Sequence, residues 1–205
     1  MCVVEDVYQL LAARFCHDLA SPINTIGLLL ETSCDDTVLA KQNYALLVDL
    51  LNLYRIFFSY DQQEKFLEKT CTVIQSICSR KKVQFKLNIN KNTNNKNTHD
   101  TGLSKIIACI FYIFIQTAVA NDIFFIEETT DFNYELIFLN SRDFFYKELL
   151  DITNGSIERH KLHESKYAIH YLLQLLLKNC GKKLVSNIDN QQAGMTSLLI
   201  LTHVA

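Results

Sequence analysis

The chain has 205 residues, 49% of them hydrophobic, and a net charge of -2, so it can bury one large domain or a small helical module plus a compact second one. Its acidic and basic residues are interspersed and create no one-signed field, which argues against nucleic acid or a membrane surface as partner. The seven cysteines (Cys2, Cys16, Cys34, Cys71, Cys78, Cys109, Cys180) are odd in number and contain no C-x-x-C pair, which fits neither a zinc ribbon nor a paired disulfide framework and reads as reduced thiols of a cytoplasmic protein.

In chain order, two long helical patterns come first, separated by the polar break Ser33-Cys34-Asp35-Asp36-Thr37, whose Asp and Thr residues can cap the second helix. In the first helix Val4, Tyr8, Leu11, Phe15, Leu19, Ile23, Ile26 and Leu30 recur every three or four residues and predict one buried stripe. Ala40, Tyr44, Leu47, Leu51, Tyr54 and Phe58 do the same in the second, and Leu39, Leu46, Leu50, Leu53 and Phe57 add a second apolar flank. A two-helix hairpin this apolar cannot bury itself, so pairing of two hairpins into a four-helix bundle, a homodimer, is the economical solution. The alternative is that the rest of the chain folds back over the hairpin.

After Asp61 the pattern becomes mixed. Gln62 to Arg80 reads as a helix, Gln84 to Ile89 as a strand, and Asn90 to His99 as a loop rich in Asn, Lys and Thr. The run Leu103 to Val119 reads as an apolar helix; its core, Ile106 to Ile115, is too short to span a bilayer and is expected to be buried. No basic region followed by an apolar core opens the chain, which again fits a soluble protein. Strand-like runs at Ile123 to Glu127 and Tyr134 to Asn140 form a hairpin, and a polar helix or turn follows near Arg142 to Leu150. Helix Lys166 to Asn179 stops at Gly181, and strands Lys183 to Ile188 and Thr196 to His203, divided by Asp189 to Gly194, close the chain. The expected class is α+β: a helical hairpin, then a helix-backed, largely antiparallel sheet.

The stretch that carries chemistry is Arg14-Phe15-Cys16-His17-Asp18-Leu19-Ala20-Ser21-Pro22-Ile23-Asn24-Thr25-Ile26. At about 100° per helical residue, His17 lies roughly 180° from the stripe through Leu11, Phe15 and Leu19, so its imidazole should face outward. Around it lie Ala13, Ala20, Ser21, Asn24 and Gly27, short side chains that let another protein approach closely. The line His17, Asn24, Leu28, at spacings of seven and four, is a candidate docking strip for a partner helix; Leu28 could instead pack on the rest of the chain. Pro22 removes the donor to the Asp18 carbonyl and costs about 3 kcal/mol unless relieved, either as a mere packing device or in support of the histidine.

His17-Asp18-Leu19-Ala20-Ser21-Pro22 resembles the H-box of sensor histidine kinases, in which a phosphoacceptor His is followed by an acidic residue and, five residues on, by Pro. Arg14 to Asp18 with Ser21-Pro22 resembles more closely the ChpT-type histidine phosphotransferases of alphaproteobacteria, in which a hairpin dimerisation domain precedes a degenerate kinase-like ATPase domain. The order of elements follows that family along the whole chain, the close motif over about a dozen residues. The resemblance implies domains at 1-61 and 62-205, a phosphoryl group carried on His17, and Asp18 orienting or deprotonating it. The alternative for Asp18 is a solvated carboxylate paired with Arg14. It also implies receiver domains of a hybrid kinase and of response regulators as partners, docking near Ala20, Ser21, Asn24 and Leu28, with magnesium brought by the receiver. An imidazole suits the task, being a nucleophile near neutral pH that can take a phosphoryl group from an aspartyl phosphate and surrender it. Ser21 stands where many bifunctional kinases place Thr or Asn, a departure that bears on phosphatase activity.

Kinase-type ATP binding needs an Asn-bearing helix and Gly-rich turns; Leu103 to Ala120 contains no Asn, and the chain has five Gly, with Asp151-Ile-Thr-Asn-Gly155 a single-Gly remnant. No ATP or other cofactor is therefore expected in this chain. His160, His163 and His170 lack an acid at metal-ligand spacing and read as surface or partly packed residues. Cys16 and His17 point about 100° apart, against a Cys/His dyad. Ser79-Arg80-Lys81-Lys82 reads as a helix C-terminus balanced against its dipole. Two rivals to the relay remain: an active sensor kinase, and a non-catalytic dimeric interaction module.

Overall fold

A computed structural model describes residues 2–32, 36–59, 66–88, 101–129, 134–139, 149, 151, 164–187 and 195–202. Helix α1 (Cys2–Glu31) and helix α2 (Thr37–Phe58) form the expected antiparallel hairpin. Asp36 caps α2, its Oδ1 accepting the Leu39 N–H at 2.9 Å, which satisfies a donor the first helical turn cannot use.

Helix α3 (Phe66–Lys81), strand β1 (Gln84–Asn88), helix α4 (Thr101–Thr117) and strands β2 (Ile123–Glu128) and β3 (Tyr134–Leu139) follow. A single 3₁₀ turn, Ser165–Tyr167, leads into α5 (Ala168–Asn179), where one continuous helix from Lys166 was expected. Strands β4 (Lys182–Asn187) and β5 (Met195–Thr202) complete the fold. Gly181 links α5 to β4 with φ +59°, a left-handed backbone that costs glycine no Cβ clash. The expected loop Asn90 to His99, the turn at Asp189 to Gly194, the boundary near residues 61 and 62, and nearly all of Arg142 to Leu150 lie outside the described residues.

The five strands run in the order β1-β2-β3-β5-β4. Only β1 and β2 are parallel, because α4 carries the chain back across the sheet between them. The β2–β3 and β4–β5 pairs are antiparallel as expected, and β5 inserts between β3 and β4. The class is thus α+β, a largely antiparallel sheet backed by helices. Helix α4 is apolar on all sides and accordingly buried throughout Ile106 to Ile115, held among α2, α3 and α5. Its Phe111 and Phe114 meet Phe124 of β2 at ring distances of 5.5 and 5.7 Å, and Phe124 stacks on Phe138 of β3 at 5.2 Å.

One hydrophobic core joins hairpin and sheet. Val7 and Leu11 of α1 and Leu53, Tyr54, Ile56 and Phe57 of α2 belong to the same cluster as α3, α4 and α5. The single stripe expected on α1 is therefore divided lengthwise. Leu11 is fully buried, whereas Tyr8, Ile23 and Leu30 remain exposed, the last at 78%. On α2 the division runs along the axis instead: Leu39 shares a face with Phe57 and Leu46 with Leu53, yet Leu39, Tyr44 and Leu46 in its first half are exposed while Leu53, Tyr54 and Phe57 near its end are inside. The physical reason is extent: the apolar surface of the hairpin is broader on α1, and on α2 longer, than the α/β part covers, so part of it is left unpacked.

Candidate functional site

His17 faces away from the core of its own chain, with 74% of its side chain exposed. Ala20, Ser21, Asn24 and Leu28 are exposed on the same helix, Leu28 at 61%. The strip expected from helical spacing is thus open, with Leu28 mostly exposed. Cys16 is exposed as well. Pro22 is buried, on the face shared with Leu11 and Asp18, so it packs inward one turn beyond the histidine.

Asp18 departs from one of its two readings, the solvated carboxylate. It does pair with Arg14, whose Nε stands 3.0 Å from Oδ1, but it is not solvated: its side chain is 9% exposed. Its other oxygen, Oδ2, accepts the Tyr54 hydroxyl of α2 at 2.9 Å and also the Tyr112 hydroxyl of α4. Arg14 in turn donates from Nε to the Tyr112 hydroxyl at 2.8 Å and lies over that ring, 5.9 Å from its centroid. His17 Nδ1 lies 3.4 Å from Asp18 Oδ1, a long contact that sets the side of the imidazole turned to the carboxylate.

The electrostatics follow from this geometry. Burial first, and then the neighbouring Tyr112 and Asp18, push the Tyr54 hydroxyl far above the ordinary tyrosine range. Burial and Asp18 do the same to Tyr112. Both therefore stay protonated and act as donors to the carboxylate. Burial alone lowers the Arg14 guanidinium, yet the Tyr112 hydroxyl it donates to and the neighbouring Asp18 carboxylate outweigh it and leave Arg14 raised, a permanent cation.

Neither tyrosine was singled out for chemistry by the sequence. The available signal was a hydroxyl inside runs otherwise able to be purely apolar, since a buried Tyr hydroxyl finds a polar partner.

A second polar tie lies on the far side of α2. Asp49, 4% exposed, accepts Arg80 Nε at 2.7 Å and Arg80 Nη2 through Oδ2, and the Ser76 hydroxyl at 3.1 Å through Oδ1. Lys81 Nζ donates to the Ile115 carbonyl at 2.7 Å, near the end of α4. The basic run at the end of α3 is thus not mere compensation of a helix dipole: two of its residues tie α3 to α2 and α4. The reason is burial, since Asp49 needs a charged partner where water is scarce. Lys105 Nζ likewise reaches the Ser59 carbonyl, at the end of α2.

Among the described residues no group of three or more His, Cys, Asp and Glu could hold a metal ion. His170 is buried, its ring 5.6 Å from Tyr167; His160 and His163 lie outside the described residues. Burial pushes the Cys78 thiol up to about 12, and burial with Glu68 does the same for Cys71, so both are inert core thiols. Helix α4 contains no Asn and is buried throughout Ile106 to Ile115. No described helix is long and apolar enough to cross a membrane.

No protein-family model matches the chain, and no curated protein is significantly similar to it. Among solved structures, that of a bacterial phosphotransferase superposes with a TM-score of 0.75 at 18% identity, covering 98% of both chains. That agreement over the full length shows a common fold. The histidine kinase domain of the blue-light activated histidine kinase from Erythrobacter litoralis EL346 matches at a TM-score of 0.43 and 11% identity, over 97% of this chain and 92% of that one. A histidine kinase from Burkholderia phymatum STM815 matches at 0.39 and 9%, over 95% of each. These two similarities are too low to carry an argument.

Proposed function

We propose that the chain is a histidine phosphotransferase of the ChpT type, a cytoplasmic relay protein. It takes a phosphoryl group on His17 from the aspartyl phosphate of a hybrid kinase's receiver and passes it to the receiver aspartates of response regulators. The observation that carries this reading is an imidazole open to solvent beside a carboxylate that is mostly covered and paired with Arg14, Tyr54 and Tyr112. The fold held in common with a bacterial phosphotransferase supports it.

The step follows from the ring's geometry. In the tautomer with the Nδ1 proton directed to Asp18 Oδ1, the lone pair of His17 resides on Nε2 of a ring that is mostly in solvent. Nε2 attacks the phosphorus of the aspartyl phosphate; the N–P bond forms as the P–O bond to the receiver breaks, and the electron pair leaves with the receiver's carboxylate. The Nδ1 proton stays in place, and Asp18 offsets the positive charge of the phosphorylated ring. Return transfer reverses these events. The receiver brings the magnesium, and this chain supplies the nucleophile and its orientation. Of the two roles considered for Asp18, orientation is favoured, because both of its oxygens are already engaged, Oδ2 by two tyrosine hydroxyls and Oδ1 by the Arg14 cation.

Ala20, Ser21, Asn24 and Leu28 form the docking face for the receiver. The exposed outer band of the hairpin, Tyr8, Ile23 and Leu30 with Tyr44 of α2, is covered by a second copy in a homodimer. The test is incubation with a panel of receiver domains carrying radiolabelled phosphoryl groups, in the absence of ATP. Acid-labile label on this chain from at least one receiver is expected, together with a dimeric mass in solution. Label that appears only with ATP would replace the relay by a sensor kinase, and no label under either condition would leave a dimeric interaction module.

A further inference from the structure

We infer that Tyr112 is a positioning residue for the phosphoacceptor: from α4, it fixes the Asp18 carboxylate so that Oδ1 faces His17 Nδ1 and Nε2 is left free. This rests on His17 being the acceptor. An ionised carboxylate offers about four acceptor sites. In Asp18 four groups approach them, Arg14 and His17 at Oδ1 and Tyr54 and Tyr112 at Oδ2. An aspartate on an unsupported helix surface would sample several rotamers and orient its neighbour poorly. Here the two hydroxyls hold one oxygen and so aim the other.

Tyr112 does more than add a donor. Its hydroxyl accepts from Arg14 Nε while donating to Asp18, so it orients the cation as well as the carboxylate. It is also the member of the network that comes from outside the hairpin: Arg14, His17 and Asp18 are on α1, and Tyr54 is on α2. Helix α4 is the most deeply buried helix described, packed among α2, α3 and α5. Through Tyr112 the aim of the imidazole is therefore referred to the core of the α/β part. This gives that part a role in phosphotransfer that requires no nucleotide.

The test compares the wild type with Tyr112→Phe, which keeps the ring and removes the hydroxyl. Nitrogen NMR of the His17 ring is recorded at a pH above which its ring signals no longer change, so that neutral tautomers are compared. Phosphorylation of His17 by phosphoramidate, a small donor that needs no docking surface, is followed in parallel. The wild type is expected to hold the proton mainly on Nδ1. In Tyr112→Phe the folded protein should shift towards the Nε2–H tautomer, and acceptance from phosphoramidate should fall by about fivefold or more. An unchanged tautomer in the variant would overturn the inference, whatever happens to the rate, because a purely structural tyrosine could slow the reaction through unfolding but would leave the folded ring as it was. If the tautomer shifts yet no donor phosphorylates even the wild type, the positioning role stands and the acceptor role of His17 falls.

Discussion

The tie between Asp49 and Arg80 offers the sharpest test of what holds the hairpin to the α/β part. In Arg80→Met the stem is kept and the guanidinium removed, so Asp49 Oδ2 loses both its donors and the carboxylate, 4% exposed, keeps only the Ser76 hydroxyl. Removing one member of a fully buried ion pair costs about 3–5 kcal/mol, because the remaining charge is stranded. The Arg80 side chain is 36% exposed, so water can follow into the space it leaves and the cost should fall to about 2–3 kcal/mol. Urea unfolding monitored by circular dichroism, at fixed protein concentration so that association does not enter, measures this. A second variant, Asp49→Asn with Arg80→Met, removes the stranded charge and should recover part of the loss. Arg80→Met within about 0.5 kcal/mol of the wild type would refute the reasoning, as would a double variant no more stable than the single. Folded Arg80→Met should still accept phosphate on His17, since the tie lies on another face of α2.

His17→Gln should lose all phosphoryl acceptance while unfolding within about 0.5 kcal/mol of the wild type, because the side chain is mostly in solvent; label retained on the variant would move the acceptor elsewhere. Leu28→Arg, on the exposed strip, should cut transfer from a receiver tenfold or more by placing an unpaired charge in the interface, yet leave phosphoramidate labelling, stability and mass unchanged; wild-type transfer from the receiver would remove Leu28 from the docking face. Stability should decline with pH above about 9: unfolded cysteines ionise there, while buried Cys71 and Cys78 keep their protons up to about 12, so the unfolded state binds fewer protons across that window. Tyr54 and Tyr112, also raised, add loss of the same sign from about pH 10 upward. Urea midpoints across the range should therefore fall less steeply for Cys78→Ala, and an identical slope would contradict the assignment.

What could be read from the sequence was what lies within one element. The hairpin, the burial of Ile106 to Ile115, the β2–β3 and β4–β5 pairs and the outward direction of His17 follow from periods of 3.6 and 2 along short stretches of chain. Contacts between distant segments were not legible. Tyr112 meets Asp18 across 94 positions, and nothing local to either distinguishes that pair from a tyrosine closing an apolar helix and a solvated aspartate. The role of Arg80 is legible only in part for the same reason: it does stand in the last turn of α3, where a basic residue suits the dipole, but its partner Asp49 is 31 positions earlier. The insertion of β5 between β3 and β4 is a fact of sheet order, which strand periodicity does not encode.

The division of α1 into three lengthwise faces explains how the proposed dimer and the proposed relay can share one helix. Taking about 100° per residue, Leu11, Asp18 and Pro22 cluster on one line, which is the line packed against the core. Tyr8, Ile23 and Leu30 lie roughly 90° to one side of it, exposed and apolar. His17, Asn24 and Leu28 lie roughly 120° to the other side. A second copy seated on the apolar line therefore leaves the histidine line about 150° away and open, so a receiver can dock while the dimer stays intact. The inner line does a different job for the same histidine: it carries Asp18 into reach of Tyr54 and Tyr112, and so connects an imidazole in solvent to the packed core one residue away. Shifting Asp18 by one position in either direction would turn the carboxylate about 100° off that line and out of reach of both hydroxyls. The immediate adjacency of His17 and Asp18 is thus what lets one residue face the partner while the next is held by the fold.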